Sequence, residues 1–480
     1  MRDGSIFRNT ILTLIFITLK ITILAYPLFY TLKHSSFKTN HRSMEETNEH
    51  LKREVGAMGL SANLVNIMIG AGIFALPAIV AAGLGSSSIF AYLFCGLLIT
   101  LVMLCFAEIG SKVTSSGGAY TYIETSFGPY FGFLTVVLFV LSATSADAAV
   151  ANALVDIIGT MFPVFKSNTL RILFFIILFG ILGYINVRGI KEGMLVVKTI
   201  TIIKLIPLLL LVIFSWGEVS LDHLSINSIS SIEDIGKISL ILFFAFQGAE
   251  SGLSISGEVK DPTKNIPKAI FISVVGVLIL YILIQTVSLG VLGASLATNK
   301  ENPLSFVADQ VFGPIGFTIM TIGAAISMLG NLSSEILSIP RILFRASKDN
   351  VLPLSPLSKV HDRFSTPYIA IIAYATSGFL LASFGGFQQM AIISSASILL
   401  VYLGVTLSVI KQRRKKAKPT SNEFRIPGGY LVPILSVIII VWLLSNLERQ
   451  EFIGFGVYLV ILTFIYLLKD KIWKKIKNSQ

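Results

Sequence analysis

Ionisable residues inside long apolar stretches are the side chains of this sequence best suited to do chemistry. A charge at the centre of a bilayer costs at least about 2.5 to 3.5 kcal/mol, so such residues are usually functional. The candidates are Glu108, Asp147, Asp156, Lys198, Lys204, Glu250 and Glu335. Carboxylates in that setting can bind a cationic ligand, and a lysine can carry a proton. Glu108 and Lys198 stand near the ends of their stretches, where snorkelling to the membrane surface explains them more simply.

Small residues interrupt two of the apolar stretches. The first reads NIMIGAGIFALP at residues 66–77, and the second reads FFAFQGAESGLSISGEVKDP at residues 243–262. Gly70 and Gly72 each cost a helix about 1 kcal/mol relative to Ala and let the backbone leave helical geometry. A membrane helix can leave amides and carbonyls unpaired only where they face protein or a water-filled cavity. The paired breaks therefore predict a binding site near the middle of the membrane, as in transporters.

The two breaks offer complementary backbone groups to a ligand. The amides of Ala71, Gly72 and Ile73, at the start of a half-helix, suit a carboxylate. The carbonyls before Gly248 suit an ammonium group, so together the breaks fit an α-amino acid. A packing seam of small residues is the alternative. It fits the second break, whose glycines are four residues apart, better than the first, whose glycines are two apart.

The elements that carry these residues are membrane-spanning helices. Of the 480 residues, 54% are hydrophobic and 13% are charged, and the mean hydropathy is +0.80. This composition is far too apolar for a soluble domain. Stretches long enough to cross a hydrocarbon core of about 30 Å fall near residues 60–82, 89–110, 129–162, 170–187, 196–216, 237–257, 269–293, 314–339, 367–384, 388–410, 431–447 and 452–468. We therefore expect an all-α membrane protein with twelve transmembrane helices.

The breaks divide the apolar stretches into two halves. Five stretches lie within residues 56–216 and five within residues 237–411, and each half opens with an interrupted stretch. An odd number of helices inverts the topology of the second half, which predicts a 5+5 inverted repeat. The two remaining helices, at residues 431–468, are expected to be peripheral.

Basic residues predict the orientation in the membrane. If the segment before Gly56 is cytoplasmic, the inner loops and the tail at residues 469–480 hold most lysines and arginines, including a run at residues 411–418. The outer loops hold only Lys166, Arg171, Lys237, Lys300 and Arg449. The positive-inside rule then places both termini in the cytoplasm, with the chain in the inner (cell) membrane. This asymmetry explains the net charge of +12, so we expect no nucleic-acid partner.

The sequence has few residues arranged for catalysis or metal binding. The five histidines lie outside the predicted core helices and do not cluster. Cys95 and Cys105 share one stretch ten residues apart, which is about 15 Å along a helix and too far for a disulfide. The phosphate-binding pattern GxxxxGK[ST] does not occur. We therefore expect no enzyme, no metal, no cofactor and no nucleotide-driven pump.

Residues 1–43 are treated as a doubtful extension. They include an apolar stretch at residues 11–32, but Lys20 and Pro27 interrupt it and weaken its insertion. One interpretation is a signal-like or extra membrane segment. The favoured alternative is that translation begins at Met44, which opens a polar lead into the first core helix.

Five short motifs occur in a characteristic order. They are IGAGIF at residues 69–74, SSGGAY at 115–120, NVRGIK at 186–191, FFAFQGAES running into GEVKDPTKNIPKAI at 243–270, and RASKDN at 345–350. On these motifs, residues 44–470 resemble the amino acid-polyamine-organocation superfamily of permeases and antiporters. The resemblance implies a LeuT-like fold and secondary transport of amino acids or amines by alternating access.

The residues and the resemblance together predict a substrate site. Its candidates are Ile69, Gly70, Ala71, Gly72, Ile73, Ala143, Asp147, Phe244, Phe246, Gly248 and Glu335. The resemblance implies that Phe244 stacks on the substrate; a lipid-facing phenylalanine is the alternative. It also implies that arginine/agmatine antiporters have a neutral polar ligand near Asp147 and an aromatic residue near Glu335. These departures put that exchange in doubt, yet two carboxylates favour a cationic side chain or amine. Protonated or structurally paired carboxyls are the alternative.

Lys204 and Glu250 are the candidates for coupling and gating. The resemblance implies that the Lys204 amine takes the place of a sodium ion, as in proton-coupled or sodium-independent members. The alternative is a salt bridge to a buried acid such as Asp147 or Glu335. Glu250 would gate through a hydrogen bond to the first break, or else cap the unwound amides of its own break.

We expect a secondary active transporter that moves amino acids, with cationic amino acids or polyamines among the candidates, in proton-coupled or exchange mode. A non-transporting amino acid sensor on the same fold is the alternative. The short basic tail leaves little room for a signalling domain. Expected partners are the substrate, protons and the lipid bilayer, and a homodimer is left open.

Overall fold

The computed structural model describes residues 55–112, 118–189, 194–226, 230–252, 259–352, 354–414 and 424–477. The expectations for residues 1–43 lie outside these residues, as do parts of the motifs at 115–120, 186–191 and 257–270 and of the basic run at 411–418. The described chain is helical, and it contains no β-strand beyond one isolated bridge between Val55 and Val259. The expectation of an all-α protein is confirmed for this part of the chain.

The described helices are numbered in chain order. They are α1 (Ala57–Met68), α2 (Gly72–Leu84), α3 (Ser88–Lys112), α4 (Ala119–Phe127), α5 (Pro129–Met161), α6 (Asn168–Val187), α7 (Met194–Phe214), α8 (Leu221–Leu224), α9 (Ile232–Leu242), α10 (Ala249–Gly252), α11 (Pro262–Leu292), α12 (Pro303–Phe312), α13 (Pro314–Lys348), α14 (Tyr368–Phe384), α15 (Phe387–Arg414), α16 (Leu431–Leu444) and α17 (Arg449–Lys477). Short 3-10 turns join several of them, including Phe243–Phe246 after α9. All of these helices but α4, α8 and α12 overlap a predicted apolar stretch.

Seven helical segments of the described chain are long and apolar enough to cross a membrane, and three shorter apolar helices accompany them. These segments are characteristic of a multi-pass membrane protein. Each predicted apolar stretch overlaps at least one described helix. Twelve crossings and the inverted repeat stay predictions.

Helix α5 lies at the centre of the helix packing. It packs against α13, α14 and α15, and α11 packs against α1 and α3. The middle of α5 reads ATSADAAVANA at residues 143–153. Small side chains let helix backbones approach closely, so this stretch is almost entirely buried. The same stretch places Asp147 in the interior, where it is fully buried.

The snorkelling prediction for Glu108 is wrong. Its side chain is fully buried and forms an ion pair with Arg413 of α15, itself 1% exposed. Arg413 Nε donates to Glu108 Oε1 at 2.8 Å, Arg413 Nη2 donates to Oε2, and the Ile426 amide donates to Oε2 at 3.0 Å. The segment that precedes α16 thus closes over the end of α3, where a snorkelling side chain would need water. The Lys198 side chain lies outside the described residues.

Candidate functional site

The first break separates α1 from α2. Ile69 leaves helical geometry with ψ at 83°, and its amide makes the last bond of α1, to Val65 O. The Phe74 amide donates to Ala71 O at 3.0 Å, so regular bonding resumes one turn into α2. The first amides of a helix have no acceptor within it. The positive end of α2 at Gly72 and Ile73 is therefore free to meet an anionic group.

The second break has an irregular backbone that requires glycine. After the 3-10 turn Phe243–Phe246, Gln247 is extended and Gly248 has φ at +100°, a conformation that side chains with Cβ atoms rarely adopt. A Cβ atom on Gly248 would also lie 2.8 Å from Ile67 Cγ2. The chain then re-enters a short helix, α10. The carbonyl end of α9 and its 3-10 turn is thus followed by a glycine that lies against Ile67 of α1.

The two breaks touch each other. A Cβ atom on Gly72 would lie 2.8 Å from both the Cα and the Cβ atom of Ala245. Real Cβ contacts are essentially never this short, so glycine at this position lets the two backbones meet. Gly72 therefore serves close helix packing, as the alternative interpretation expected. The same residue is the first of α2, so it also belongs to the open backbone that a ligand would need.

A cavity opens between the two breaks, α5 and α13. Predicted substrate-site residues in its lining are Gly70, Ala71, Gly72, Ala143, Phe244, Gly248 and Glu335, and the gating candidate Glu250 lines it as well. Phe139, Val150, Ile339 and Ile398 add apolar wall, while Ser142, Gln247, Ser251 and Asn331 add polar groups. An apolar cavity with a few convergent polar groups is the usual form of a small-molecule site.

Several predicted site residues do not line this cavity. Ile69 and Ile73 are each 1% exposed and point into the core. Phe246 is fully buried and packs edge-on against the Tyr281 ring, with 5.3 Å between centroids. Phe244, by contrast, faces the cavity and makes an edge contact with Phe387 at 5.6 Å. Of the two phenylalanines in the predicted site, Phe244 is the one placed to contact a ligand.

Asp147 lies behind the cavity wall. Its Oδ2 accepts a hydrogen bond from the Tyr374 hydroxyl at 2.9 Å, and its Oδ1 has no partner among the described groups. Ala143 and Ala146, on the adjoining face of α5, line the cavity in its place. Asp147 interacts electrostatically with Glu335. Of the alternatives considered for Asp147, a structural partner is therefore present, and it is the Tyr374 hydroxyl.

Glu335 of α13 presents a carboxyl group to the cavity. It interacts electrostatically with both Asp147 and Glu250. In the part of the chain that the structure describes, no basic side chain forms a salt bridge with it. Asn331, one turn earlier on the same helix, places its side chain against Gly70. The cavity therefore combines an acidic wall with the open backbone of the first break.

Glu250 makes the contacts of a local cap. Its Oε2 accepts hydrogen bonds from the Gly248 amide at 3.0 Å and from the Tyr402 hydroxyl at 2.5 Å. The contacts described for Glu250 include no hydrogen bond to the first break. The hydrogen bond that a local cap requires, from the Gly248 amide, is thus present. A gating role for Glu250 stays a prediction.

Lys204 of α7 binds the carbonyl end of α1. Its Nζ donates to Asn66 O at 2.5 Å and to Ile69 O at 2.9 Å. Carbonyls at a helix C-terminus carry partial negative charge and favour a cation. Among the described residues, Lys204 forms no salt bridge, so the pairing with Asp147 or Glu335 is not found. The amine lies beside the first break and outside the cavity lining.

Sequence reasoning missed a polar network that surrounds Gln247. Ser394 Oγ donates to Gln247 Oε1 at 2.8 Å, and Gln247 Nε2 donates to Ser395 Oγ at 2.8 Å. Ser142 of α5 joins through a bond to Ser394 O at 3.0 Å. The available signal was the polar run SSAS at residues 394–397 inside an apolar stretch. These bonds hold the extended residue of the second break against α15.

Known proteins resemble this chain over most of its length. The family model described as amino acid permease matches residues 55–467. The serine/threonine exchanger SteT of Bacillus subtilis is 30% identical over 400 residues, covering 82% of this chain and 91% of the relative. The branched-chain amino acid permease BcaP of the same organism is 26% identical over 445 residues, covering 89% and 95%. The arginine/agmatine antiporter of Chlamydia pneumoniae is 26% identical over 419 residues, covering 82% and 85%.

Proposed function

This chain belongs to the amino acid permease family, and we propose on that premise that it is a secondary active transporter moving amino acids across the membrane by alternating access. The observation that carries the proposal is the cavity formed where the two breaks meet. It brings an amide end, a carbonyl end and an aromatic side chain into one lining. Relatives named as an exchanger, a permease and an antiporter of amino acids support the same activity.

The proposed transport domain is residues 44–470, with repeats at 56–216 and 237–411, peripheral helices at 431–468 and a basic tail at 469–480. Twelve crossings and a 5+5 inverted repeat are part of the proposal. The overlap of each predicted stretch with described helix supports it. So does the occurrence of a broken helix at the start of each half. Both termini are proposed to lie in the cytoplasm, as the positive-inside rule predicts.

The proposed substrate is an α-amino acid, with cationic side chains preferred. The amides at Ala71 and Gly72, which line the cavity, would hold the carboxylate, and carbonyls before Gly248 would hold the ammonium group. Phe244 would cover the substrate from the side. Glu335 supports the cationic preference because it faces the cavity without a basic partner among the described residues.

The proposed coupling is to protons or to a counter-substrate, without sodium. Lys204 supports it because its ammonium group already binds the two carbonyls at the end of α1. The Lys204 ammonium group would thus place a positive charge at the carbonyl end of α1, where a sodium ion would otherwise be needed.

Uptake into proteoliposomes tests the proposed function. Purified protein is given labelled arginine, lysine, serine and leucine, with and without a pH gradient, sodium, or unlabelled amino acid inside. We expect uptake that internal amino acid or external acid accelerates and that sodium leaves unchanged. Binding without uptake would favour the sensor alternative, and the absence of both would overturn the proposal.

A further inference from the structure

One buried hydroxyl group reaches both breaks. Tyr281 of α11 places its Oη 3.0 Å from Met68 O and 3.1 Å from Ala245 O. Met68 is the last residue of α1, and Ala245 belongs to the 3-10 turn of the second break. Both residues line the cavity, whereas Tyr281 is fully buried behind them. The hydroxyl therefore joins the two halves of the candidate site from the side opposite the ligand.

The carbonyls that Tyr281 contacts lie at the two breaks, where Met68 O also accepts the Gly70 amide at 3.0 Å and the hydroxyl is a further donor. The last carbonyls of a helix find no amide donor in the next turn of that helix. Because buried carbonyls are nearly always hydrogen-bonded, they take donors from elsewhere. A hydroxyl group has a single proton. It can thus donate to Met68 O, to Ala245 O, or to both in a three-centre bond. If the two breaks moved apart, the hydroxyl could keep only one of the two carbonyls, so contact with both requires their present spacing.

The geometry around the hydroxyl leaves little freedom for the ring. Tyr281 packs edge-on against Phe246 at 5.3 Å and against Tyr92 at 6.5 Å between centroids. Gly72 and Ala245 are already in backbone contact at the same junction. The packed ring thus holds its hydroxyl near the carbonyls of both breaks.

We propose that Tyr281 is a positioning residue for substrate binding, which ties both helix breaks to α11 and holds the amide end and the carbonyl end of the site at the spacing of one amino acid. The inference rests on the proposed function for its ligand. The tie between the breaks is a property of the protein alone, so it can be measured without a substrate.

Tyr92 offers a matched control. It is 1% exposed, and its hydroxyl donates to Gln285 Oε1 at 3.1 Å, which is a side chain and not a carbonyl of a break. Tyr92→Phe and Tyr281→Phe each remove one buried hydroxyl and keep the ring. A merely structural role for Tyr281 predicts similar effects of the two variants, whereas a positioning role predicts different ones.

Hydrogen–deuterium exchange and uptake kinetics test the proposal on the full-length protein. For Tyr281→Phe we expect faster exchange in peptides from both 57–84 and 232–252, and a KM about 10-fold higher with maximal rate within about 2-fold, the equivalent of about 1.4 kcal/mol. Tyr92→Phe should leave the exchange of both breaks and the KM near wild type. Equal exchange in the two variants, or faster exchange at one break alone, would overturn the proposal.

A second pair of variants covers the case in which Tyr281→Phe does not fold. Incorporation of 3-fluorotyrosine at position 281 keeps the shape of the ring and makes the hydroxyl a stronger donor. Exchange at both breaks should then slow, and the same replacement at position 92 should not slow it. Unchanged exchange at position 281 would contradict the proposal. Absence of uptake by the wild-type protein would instead refute the proposed function and leave the exchange result standing.

Discussion

Glu335→Gln should convert the candidate site from one that prefers cationic amino acids to one that does not. The substitution keeps the shape of the side chain and removes its charge. A cationic group at about 4 Å from a carboxylate gains about 4 kcal/mol at an effective dielectric constant of 20 before desolvation is counted. Measured hydrogen bonds to charged groups contribute about 1.5 to 3 kcal/mol net. We therefore expect KM for arginine and lysine to rise about 10- to 100-fold.

Competition for uptake measures this change. Proteoliposomes with wild-type or Glu335→Gln protein take up one labelled amino acid while unlabelled lysine, arginine, serine or leucine competes. Lysine and arginine should lose most of their inhibitory strength, and serine and leucine should change less than about 3-fold, because a neutral side chain makes no charged bond. The neutral competitors thus serve as the internal control for folding.

Asp147→Asn is the matched control for position. Asp147 is a second carboxyl near the site, but it lies behind the lining and binds the Tyr374 hydroxyl. Its substitution should affect cationic substrates less than that of Glu335. Equal weakening of neutral and cationic competitors by Glu335→Gln would refute the reasoning, and so would an equal or larger cationic effect from Asp147→Asn.

Three further predictions follow from the contacts of the breaks and of the buried ion pair. Gly72→Ala should reduce uptake to below about a tenth, because its Cβ atom would meet backbone at 2.8 Å; Gly276→Ala, with nothing within 4 Å of its Cβ, should transport normally, and similar loss in both would count against the contact. Lys204→Ala should make uptake insensitive to a pH gradient, and an intact proton dependence would exclude its coupling role. Arg413→Met should lower the free energy of unfolding by about 3 to 5 kcal/mol by leaving Glu108 unpaired; combined substitution of both residues by Met should restore much of the melting temperature, and a double variant as unstable as the single one would argue against the pair.

Much of the helix pattern was predictable because hydropathy and glycine act locally. An apolar stretch of about 20 residues must be helical in a bilayer, and Gly70, Gly72 and Gly248 mark where the helices open. Near those glycines, Ala71, Phe244 and Glu250 line the cavity, whereas Ile69, Ile73 and Phe246 point into the core. Proximity in sequence to a break thus located part of the lining, and side-chain direction decided which neighbours face the cavity.

The errors and omissions concern side chains whose partners are distant in sequence. Glu108 looked like a surface carboxylate, but its partner Arg413 is 305 residues away. Asp147 is separated by 227 residues from the Tyr374 hydroxyl that binds it. The cap by Glu250 was among the alternatives, but its second partner, the Tyr402 hydroxyl, is 152 residues away. None of these pairs leaves a periodic or compositional signal in one sequence.

Composition, apolar length and the two glycine-bearing interruptions were enough to predict a helical membrane protein with two broken helices, because a bilayer constrains every backbone group along the chain. Which groups face one another across the breaks depended on packing in three dimensions. Helix packing turned Glu335 toward the cavity, put Asp147 behind it and brought the Tyr281 hydroxyl to two carbonyls at once. The physical reason is that hydrogen bonds and charge pairs act over a few ångströms of space, whatever their separation along the chain.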